Sequence, residues 1–372
     1  MDKTKWFTAQ YAITAGNMAE AKERAFDICV EQTVEFPYDL IKKKSIKENI
    51  VGKISSLSEI KKGFYKAEIL FPSAAAGNEL TQLLNVLFGN ISIKPGIRLE
   101  RFNLTGAMSK TFSGPRFGVK GIKKITGNKK RPLVCSALKP MGTSVKELAE
   151  LAYKFALGGI DIIKDDHGLA DQKFSPFNER VKRCTEAVRK ANKQTGYNTV
   201  YMPNVTGDGA ETLKRAKFAS KCGAGAVIIS GALSGFASIF EVSKDTKVNV
   251  PVFFHPAFAG SFTSCQNSGI SHYALYGQLT RLSGADAAIF PSYGGRFSFS
   301  KEECRSIVNG CTDKFGKAKS IMPAPGGGMT VERAAELKQF YGNDAVFLIG
   351  GGLFRHSDDI TKSVRDFISC LI

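Results

Sequence analysis

Short apolar runs recur along the last two thirds of the chain, and amphipathic stretches separate them. Eight runs are predicted to be strands because they are short, rich in β-branched residues and bounded by turn-forming residues. They are Leu133–Leu138, Ile160–Lys164, Thr199–Pro203, Ala226–Ser230, Val252–His255, Ala287–Phe290, Ser320–Pro323 and Val346–Ile349. Eight strand–helix units in about 240 residues match a closed (β/α)₈ barrel of the TIM type, so the fold class is α/β. A doubly wound open sheet is the alternative, but that fold does not require eight repeats.

Helix-start signals support this alternation. Val145–Leu157 places its apolar side chains on one face, as expected of a helix that packs on a sheet. A serine followed three residues later by a glutamate is a capping box, and a proline favours the first helical turn. Such signals occur at Ser144 with Glu147, at Ser300 with Glu303, and at Ser175–Pro176.

Residues 1–125 lack the regular alternation and are predicted to form a separate, smaller α+β domain. This region contains the apolar run Ile69–Phe71 and a helix-like stretch over residues 78–88. The barrel is therefore expected to occupy residues 126–372.

The composition is that of a globular protein, with 43% hydrophobic and 23% charged residues. No apolar run approaches the roughly 18 residues of a membrane helix, and the N-terminus shows no apolar signal-peptide core. The eight cysteines form no CxxC pair, which favours a reduced chain and indicates neither a zinc site nor a redox motif. We therefore expect a cytoplasmic protein with no membrane partner.

The chain carries a formal net charge of +18. A basic surface is typical of nucleic-acid-binding proteins, so a non-catalytic scaffold or an RNA-binding protein on this fold is one alternative. The lysines are nevertheless spread along amphipathic helices, and the densest group, between Lys120 and Arg131, falls where an interdomain linker is expected. We interpret the charge as solvated surface that also attracts an anionic substrate, and we predict no nucleic-acid partner.

The chemically distinctive residues fall at the carboxyl ends of the predicted strands, where (β/α)₈ barrels carry their active sites. The second strand ends in Lys164, Asp165, Asp166 and His167. Because side chains alternate along a strand, Lys164 and Asp166 face the same side, and His167 can join them. A deprotonated lysine can react with CO₂ to form a carbamate, which binds metals as a carboxylate does. The three groups would suit Mg²⁺, although an imidazole also suits Mn²⁺ or Fe²⁺, and a surface salt bridge of Lys164 is the alternative.

Other strand ends carry residues suited to binding an anion. Lys139 follows the first strand and His255 ends the fifth. Glycine triplets follow the seventh and eighth strands, and their backbone N–H groups can approach a phosphate closely, unless they only form tight turns. Arg296, in the loop after the sixth strand, is either a second anion clamp on a mobile lid or a solvent-facing side chain. The glycines are Gly326, Gly327, Gly328, Gly350, Gly351 and Gly352.

Together these residues resemble the RuBisCO superfamily. The segment Gly158–Val181 resembles the metal-site signature of that family, and the resemblance is collinear over nearly the whole chain. The Lys-Asp-Asp-His-Gly run resembles one RuBisCO-like (form IV) subgroup, which contains 5-methylthioribulose-1-phosphate isomerase. The other similar segments are Ser136–Pro140, His255–Ala257, Gly294–Phe297, the two glycine triplets, Glu31–Pro37, Leu83–Asn90 and Gly114–Val119.

The resemblance implies a ferredoxin-like N-terminal domain and a homodimer. It implies that Lys164 is carbamylated and holds one Mg²⁺ per subunit together with Asp166 and His167. The carbamate or Lys139 would then move the substrate proton.

The resemblance also assigns residues around the substrate. His255 would contact a hydroxyl or phosphate group, Arg296 would take the place of the family's lid-loop lysine, and the glycine triplets would hold a phosphate. Glu31 and Asn90 would complete the active site of the partner subunit.

Three positions depart from the carboxylases of the family. His167 stands in place of a glutamate, Met141 in place of a second lysine, and Pro256 in place of an arginine. Because bisphosphate and CO₂ chemistry depends on those charges, we do not expect ribulose-bisphosphate carboxylation. We expect Mg²⁺-dependent enolisation of a phosphorylated sugar or keto acid.

The expected activity is that of a 5-methylthioribulose-1-phosphate isomerase of methionine salvage. A decarboxylase of 3-oxo-isoapionate 4-phosphate in apiose catabolism is the alternative, because both reactions depend on a stabilised enolate. Four aromatic residues would either form an apolar wall for a methylthio group or pack in the core: Phe36, Phe258, Tyr293 and Phe297.

Overall fold

The N-terminal region is built on an antiparallel sheet in this computed structural model, which describes residues 5–297 and 299–372. The sheet order is β4–β1–β3–β2, and every neighbouring pair is antiparallel. Its strands are β1 (Trp6–Thr14), β2 (Lys53–Lys61), β3 (Phe64–Pro72) and β4 (Ile97–Asn103). Its helices are α1 (Met18–Glu31), α2 (Lys44–Asn49), α3 (Ser73–Ala76), α4 (Leu80–Phe88) and α5 (Met108–Thr111). With α1 and α4 as crossovers, this strand order is ferredoxin-like, as predicted.

Eight parallel strands of the C-terminal region form a closed barrel. Around the ring they follow the order β7–β6–β5–β13–β12–β11–β9–β8, and a bridge between Asn204 and Ile228 joins the two ends of that series. The barrel strands are β5 (Leu133–Leu138), β6 (Ile162–Asp165), β7 (Val200–Met202), β8 (Val227–Ile229), β9 (Val252–Phe254), β11 (Ala287–Pro291), β12 (Met322–Gly326) and β13 (Val346–Leu348). The predicted (β/α)₈ barrel is therefore confirmed, and the open-sheet alternative is wrong.

Helices surround the barrel. Among the described residues no helix is long and apolar enough to cross a membrane. The capping boxes predicted at Ser144 and Ser300 are both present and begin α7 and α14. A π-helix spans Tyr273–Leu279. The helices are α6 (Gly118–Thr126), α7 (Val145–Leu157), α8 (Phe177–Thr195), α9 (Glu211–Cys222), α10 (Gly231–Ser234), α11 (Phe236–Lys244), α12 (Gly260–Thr263), α13 (Thr280–Leu282), α14 (Lys301–Thr312), α15 (Ala334–Tyr341), α16 (Gly351–His356) and α17 (Ile360–Ser369).

The lysine-rich segment interpreted as a linker is instead the floor of the barrel. It contains α6, whose Ile122 is buried among the inward-facing residues of the strands. Two of its cations are paired, since Lys123 lies 2.5 Å from Asp344 and Arg131 lies 2.6 Å from Asp161. The linker interpretation is wrong because the apolar side of this basic segment plugs the amino end of the barrel. The domain boundary predicted between residues 125 and 126 falls near the end of α6 and stays a prediction.

Most predicted strand boundaries differ from the structure by one or two residues, and the largest difference is at β12. Strand β12 runs to Gly326, three residues beyond the predicted end, although it contains Pro323 and Pro325. Five residues of β12 pair with β11 but only one pairs with β13. Proline lacks the N–H that a sheet neighbour would bind and is rare in central strands, so the sequence pattern predicted that this strand ends at Pro323.

The start of α8 also differs from the prediction. Pro176 is the N-cap, and no side chain of that residue caps the helix. The Phe177 N–H instead donates to Asp171 Oδ1 at 2.6 Å, and Ser175 binds Arg180. A cap supplied from six residues away has no local signature in the sequence.

The segment after β9 fastens the barrel to the N-terminal sheet. Its short strand β10 (Gly269–Ile270) pairs in parallel with β4 and adds a fifth strand to that sheet. The buried side chain of Gln278 binds both backbone groups of Phe102, since its Nε2 donates to the carbonyl and its Oε1 accepts from the N–H. The two parts of the chain therefore share backbone hydrogen bonds as well as apolar contacts.

Replacing Gln278 tests this connection. Gln278→Ala leaves the buried N–H and C=O of Phe102 without partners, so we expect a loss of about 1–3 kcal/mol in the free energy of unfolding. Urea denaturation followed by circular dichroism measures the change. Gln82→Ala is the matched control, because that exposed side chain makes one hydrogen bond, to Ala75, and its loss should change stability by less than about 0.5 kcal/mol. Equal stability of the two variants would contradict the proposed fastening.

Candidate active site

Lys164 is buried at the carboxyl end of β6, with only 2% of the residue exposed. Its Nζ donates to the backbone oxygen of Asp165 at 2.7 Å. In residues 5–297 and 299–372 it forms no ion pair, and the neighbouring carboxylates bind other cations, so the surface salt bridge considered above is not formed. Burial lowers the pKa of Lys164 because desolvation disfavours the ammonium form. A lowered pKa enlarges the neutral fraction of the amine, which is the form that reacts with CO₂.

Asp166 brings two other predicted site residues together. The Nζ of Lys139 lies 2.9 Å from Asp166 Oδ1, and the Nδ1 of His167 lies 3.2 Å from the same oxygen. Burial alone would raise the pKa of Asp166, but hydrogen bonds from His167 and Lys139 outweigh it and hold the pKa well below its usual range. The carboxylate is therefore ionised and able to bind a cation.

His255, which follows β9, reaches the same centre from across the barrel. Its ring stacks on that of His167, with ring centroids 4.4 Å apart and planes inclined by 15°. Burial, followed by the nearby positive charge of Lys164, lowers the pKa of His255 well below 6.5. The Ala257 N–H donates to Nδ1 of the ring at 3.1 Å. In the neutral ring the proton therefore lies on Nε2, which can donate to a substrate oxygen.

Asp165 points in the opposite direction, into the layer between strand and helix. Its Oδ2 accepts from Nε of Arg180 at 3.0 Å, and its Oδ1 accepts from the hydroxyl of Tyr201 at 2.7 Å. The side chains of Asp165 and Arg180 are completely buried. This ion pair was not predicted from the sequence. Its one signal is that Arg180 occupies the apolar face of α8, between Phe177 and Val181.

Arg180 also holds the loop that follows β6. Its guanidinium donates to the carbonyl oxygens of Ser175 and Ala170. Asn204, at the end of the third predicted strand, donates to the carbonyl oxygens of His167 and Leu169 at 2.9 and 3.0 Å. These two buried side chains therefore fix the backbone that carries Asp166 and His167.

The glycine triplet after β12 is partly open and partly packed. Gly326 is the last residue of the strand. A Cβ atom on Gly327 would meet nothing within 4 Å, whereas one on Gly328 would lie 2.5 Å from the Cα of Gly295. Gly327 therefore leaves room for a ligand, whereas Gly328 permits close packing of two loops, and phosphate binding by this triplet stays a prediction.

The triplet after β13 shows the same division. Cβ atoms on Gly350 or Gly351 would meet nothing within 4 Å, but one on Gly352 would lie 2.4 Å from the carbonyl oxygen of Met329. Gly351 begins the six-residue helix α16. The open glycines Gly327, Gly350 and Gly351 thus come from two neighbouring strand ends.

Arg296 lies in the exposed part of the loop after β11, with its guanidinium 4.8 Å from the ring centroid of Phe297. The start of this loop is held by Arg333, which donates to the carbonyl oxygens of Gly328 at 2.9 Å and Tyr293 at 3.4 Å. The role of Arg333 was missed because it follows a glycine loop in sequence but contacts the preceding loop only in three dimensions.

Glu31 and Asn90 meet within one chain. Asn90 Nδ2 donates to Glu31 Oε1 at 3.0 Å, although the two residues lie at the end of α1 and after α4. They form an exposed pair on the N-terminal domain. Their predicted contribution to a partner subunit's site stays a prediction.

The four aromatic residues considered for an apolar wall divide into two groups. Tyr293 is 5% exposed and packs in the core, where its hydroxyl donates to Glu336. Phe36, Phe258 and Phe297 are 49%, 62% and 50% exposed, so their rings are free of core packing in a single chain.

The donors near β6 fit a divalent cation with one modification. In the described ranges no three His, Cys, Asp or Glu residues form a metal cluster, so Asp166 and His167 would need Lys164 as a third ligand. A carbamate on that buried amine would supply anionic oxygens of the kind that Mg²⁺ prefers. Because Lys139 is paired with Asp166 here, it would have to release that carboxylate to a bound ion.

The fold and this centre define a (β/α)₈-barrel protein whose polar residues gather where such barrels carry out catalysis. A sequence profile of the ribulose bisphosphate carboxylase large chain, catalytic domain, matches residues 118–367. The chain belongs to the RuBisCO large-chain family, as one of its RuBisCO-like proteins.

Three relatives match nearly the whole chain. Ribulose bisphosphate carboxylase-like protein 1 of Rhodopseudomonas palustris is 36% identical over 99% of this chain and 98% of its own. The 5-methylthioribulose-1-phosphate isomerase of Rhodospirillum rubrum is 34% identical over 97% and 95% of the two chains. The 2,3-diketo-5-methylthiopentyl-1-phosphate enolase of Bacillus pumilus is 30% identical over 98% and 92%.

The crystal structure of a RuBisCO-like protein from Rhodopseudomonas palustris has the same fold. It matches with a TM-score of 0.88 and 38% sequence identity, over 98% of this chain and 97% of that one. The similarity therefore extends over both the N-terminal sheet and the barrel.

Removing the partner of Asp165 tests how the site is supported. Arg180→Met would leave a buried carboxylate unpaired, so we expect the free energy of unfolding to fall by about 3–5 kcal/mol. Chemical denaturation measures the loss. Arg183→Met, on the same helix, breaks the exposed pair with Glu179 and should cost less than about 1 kcal/mol. Comparable losses in the two variants would show that the buried pair has no special structural role.

Proposed function

We propose that this chain is an enolising enzyme that acts on a phosphorylated ketose. Within that class we propose that it is a 5-methylthioribulose-1-phosphate isomerase of methionine salvage. The proposal rests chiefly on one observation: a buried lysine, which forms no ion pair with any described residue, lies beside an ionised aspartate and two stacked imidazoles. The isomerase from Rhodospirillum rubrum, similar over 97% of this chain, supports the choice of reaction.

We propose Mg²⁺ as the cofactor, one ion per subunit, held by carbamylated Lys164, Asp166 and His167. When bound, the ion would polarise the substrate carbonyl and so acidify the adjacent C–H. The low pKa of Asp166 keeps its carboxylate ionised, and the burial of Lys164 favours the neutral amine that forms a carbamate.

Side chains of this protein would carry out the proton transfer. The carbamate on Lys164 or the amine of Lys139 would accept the proton from the carbon next to the carbonyl. His255 would donate from Nε2 to the oxygen that becomes negative, because its Nδ1 is already engaged by a backbone N–H. Return of a proton to a different carbon completes an isomerisation with no gain or loss of atoms.

We assign the phosphate to the two glycine loops. Gly327, Gly350 and Gly351 leave open space at neighbouring strand ends, so an anion can approach their backbone N–H groups. Arg296, exposed on the adjoining loop, would close over that anion. The phosphate would thereby hold the ketose with its carbonyl beside Lys164.

We propose that the protein acts as a homodimer with its active site at the subunit interface. The exposed pair of Glu31 and Asn90 belongs to the N-terminal domain. A mainly apolar groove, which begins three residues after Glu31 in sequence, is lined by Val34, Phe36, Leu40, Ile41, Lys42, Lys43, Ile46 and Ile50. A polar pair and an exposed apolar surface on one domain are suited to contact with another subunit.

Replacing Lys164 tests the cation site. Lys164→Met keeps most of the side-chain volume but removes the amine, so neither a carbamate nor its proton transfer is possible. We expect at least about a thousandfold loss in kcat, within the range for loss of a general base, and much weaker Mg²⁺ binding by calorimetry. Circular dichroism should show the native fold.

Lys173→Met is the control, because that exposed lysine lies on the loop after β6 and forms no part of the proposed centre. It should retain wild-type turnover and Mg²⁺ affinity. Near-normal turnover of Lys164→Met would refute the carbamate.

A substrate assay tests the reaction. With Mg²⁺ and bicarbonate, the purified protein should isomerise 5-methylthioribulose 1-phosphate, which phosphorus NMR can follow. It should fix no labelled CO₂ on ribulose 1,5-bisphosphate, because Met141 and Pro256 stand where the carboxylases carry cations.

Other products would redirect the assignment. Inertness toward this ketose with release of CO₂ from 3-oxo-isoapionate 4-phosphate would identify a decarboxylase. Enolisation of 2,3-diketo-5-methylthiopentyl 1-phosphate alone would favour the activity named for the Bacillus pumilus relative.

A further inference from the structure

The turn after β9 holds a phenylalanine in a backbone conformation that favours glycine. Phe258 has φ of +67°. The Ala259 N–H donates to the Pro256 carbonyl at 2.9 Å, which tightens the backbone around Phe258. A positive φ at a bulky side chain costs free energy and persists where the surrounding structure or a function requires it.

Packing within the chain does not explain why a phenylalanine occupies this position of positive φ. Phe258 is 62% exposed, so a glycine there would remove strain and lose little apolar burial. An exposed aromatic ring held in a strained turn is suited to contact something outside the folded chain. The position of Phe258 in the fold indicates which molecule its ring would contact.

Phe258 is joined to the reacting centre through its own turn. Three residues earlier lies His255, whose ring stacks on His167, and the intervening Ala257 N–H binds the Nδ1 of His255. The same short turn therefore sets the direction of the imidazole and carries Phe258 three residues further along the chain, at the same strand end.

This strand end is apolar and uncharged. Residues 255–263 read HPAFAGSFT and contain no lysine, arginine, aspartate or glutamate. The anion-binding features, which are the open glycines and Arg296, lie at other strand ends. A substrate with a phosphate at one end and an apolar group at the other therefore has a complementary place for each end.

We infer that Phe258 is a specificity-determining residue that receives the end of the sugar opposite the phosphate and selects an alkylthio group there over a hydroxyl. This inference rests on the proposed function and deepens it. Sulfur makes favourable contacts with aromatic rings, and an exposed ring offers a hydroxyl group no hydrogen-bond partner to replace water.

The test compares two sugars that differ at that end, 5-methylthioribulose 1-phosphate and ribulose 1-phosphate. For each enzyme variant the ratio of the two kcat/KM values is measured, and calorimetry gives the ratio of the two affinities. In Phe258→Gly we expect both ratios to fall about tenfold to a hundredfold. The melting temperature should stay equal or rise, because glycine accepts the positive φ.

Two further variants separate specificity from a structural role. Phe258→Leu keeps an apolar side chain and should restore much of the preference for the methylthio sugar. Tyr197→Ala removes an aromatic ring of similar exposure at the opposite end of the barrel, just before β7, and should leave both ratios unchanged.

The outcomes distinguish this inference from the proposed function. If the wild-type protein turns over neither sugar, the isomerase proposal fails, but equal affinity for the two sugars is what would overturn the role of Phe258. Unchanged ratios in Phe258→Gly would also overturn it. A change of oligomeric state in that variant, with equal losses on both sugars, would assign the ring to a subunit interface instead.

Discussion

The buried ion pair between Asp165 and Arg180 decides which way the side chains at the end of β6 point. Because side chains alternate along a strand, Asp165 in the outer layer places Lys164 and Asp166 inside the barrel. A shift of one residue would place Asp165 inside and turn Lys164 toward α8, where Arg180 already lies. Leaving either buried charge without its partner would cost on the order of 3–5 kcal/mol of folding free energy. The pair therefore fixes the strand register on which the candidate site depends.

Arg180, one member of this pair, also fixes the backbone of the loop that follows β6. Arg180 binds carbonyl oxygens on both sides of residues 171–174, and Asn204 holds the carbonyls of His167 and Leu169. Apolar side chains fill the barrel interior beneath the site. Buried polar contacts fix the loop beside it. This support holds His167 where it can stack on His255 while its Nδ1 faces Asp166. Precise placement on rigid elements is what a proton-transfer site needs.

Much of this arrangement was predictable because its signals are local. The eight strands, the helix starts at Ser144 and Ser300, and the common face of Lys164 and Asp166 all follow from periodicity and capping. The elements that were missed depend on contacts between distant residues. Gln278 replaces a missing backbone partner of Phe102, and Arg333 holds a loop 40 residues before it in sequence. No window along the sequence contains both members of these contacts.

Under the proposed function, the charges around the site suit a substrate with one phosphate group rather than two. The net charge of +18 lies mostly outside the centre, where cations such as Lys123 and Arg131 are committed to acidic partners at the barrel floor. At the strand ends Lys139 is paired with Asp166, and the lowered pKa of His255 makes that residue a neutral donor rather than a cation. Pro256 and Met141 add no charge. Under the proposed function the open glycines and Arg296 would hold one anion, while the uncharged turn after β9 provides no counter-charge for a second phosphate.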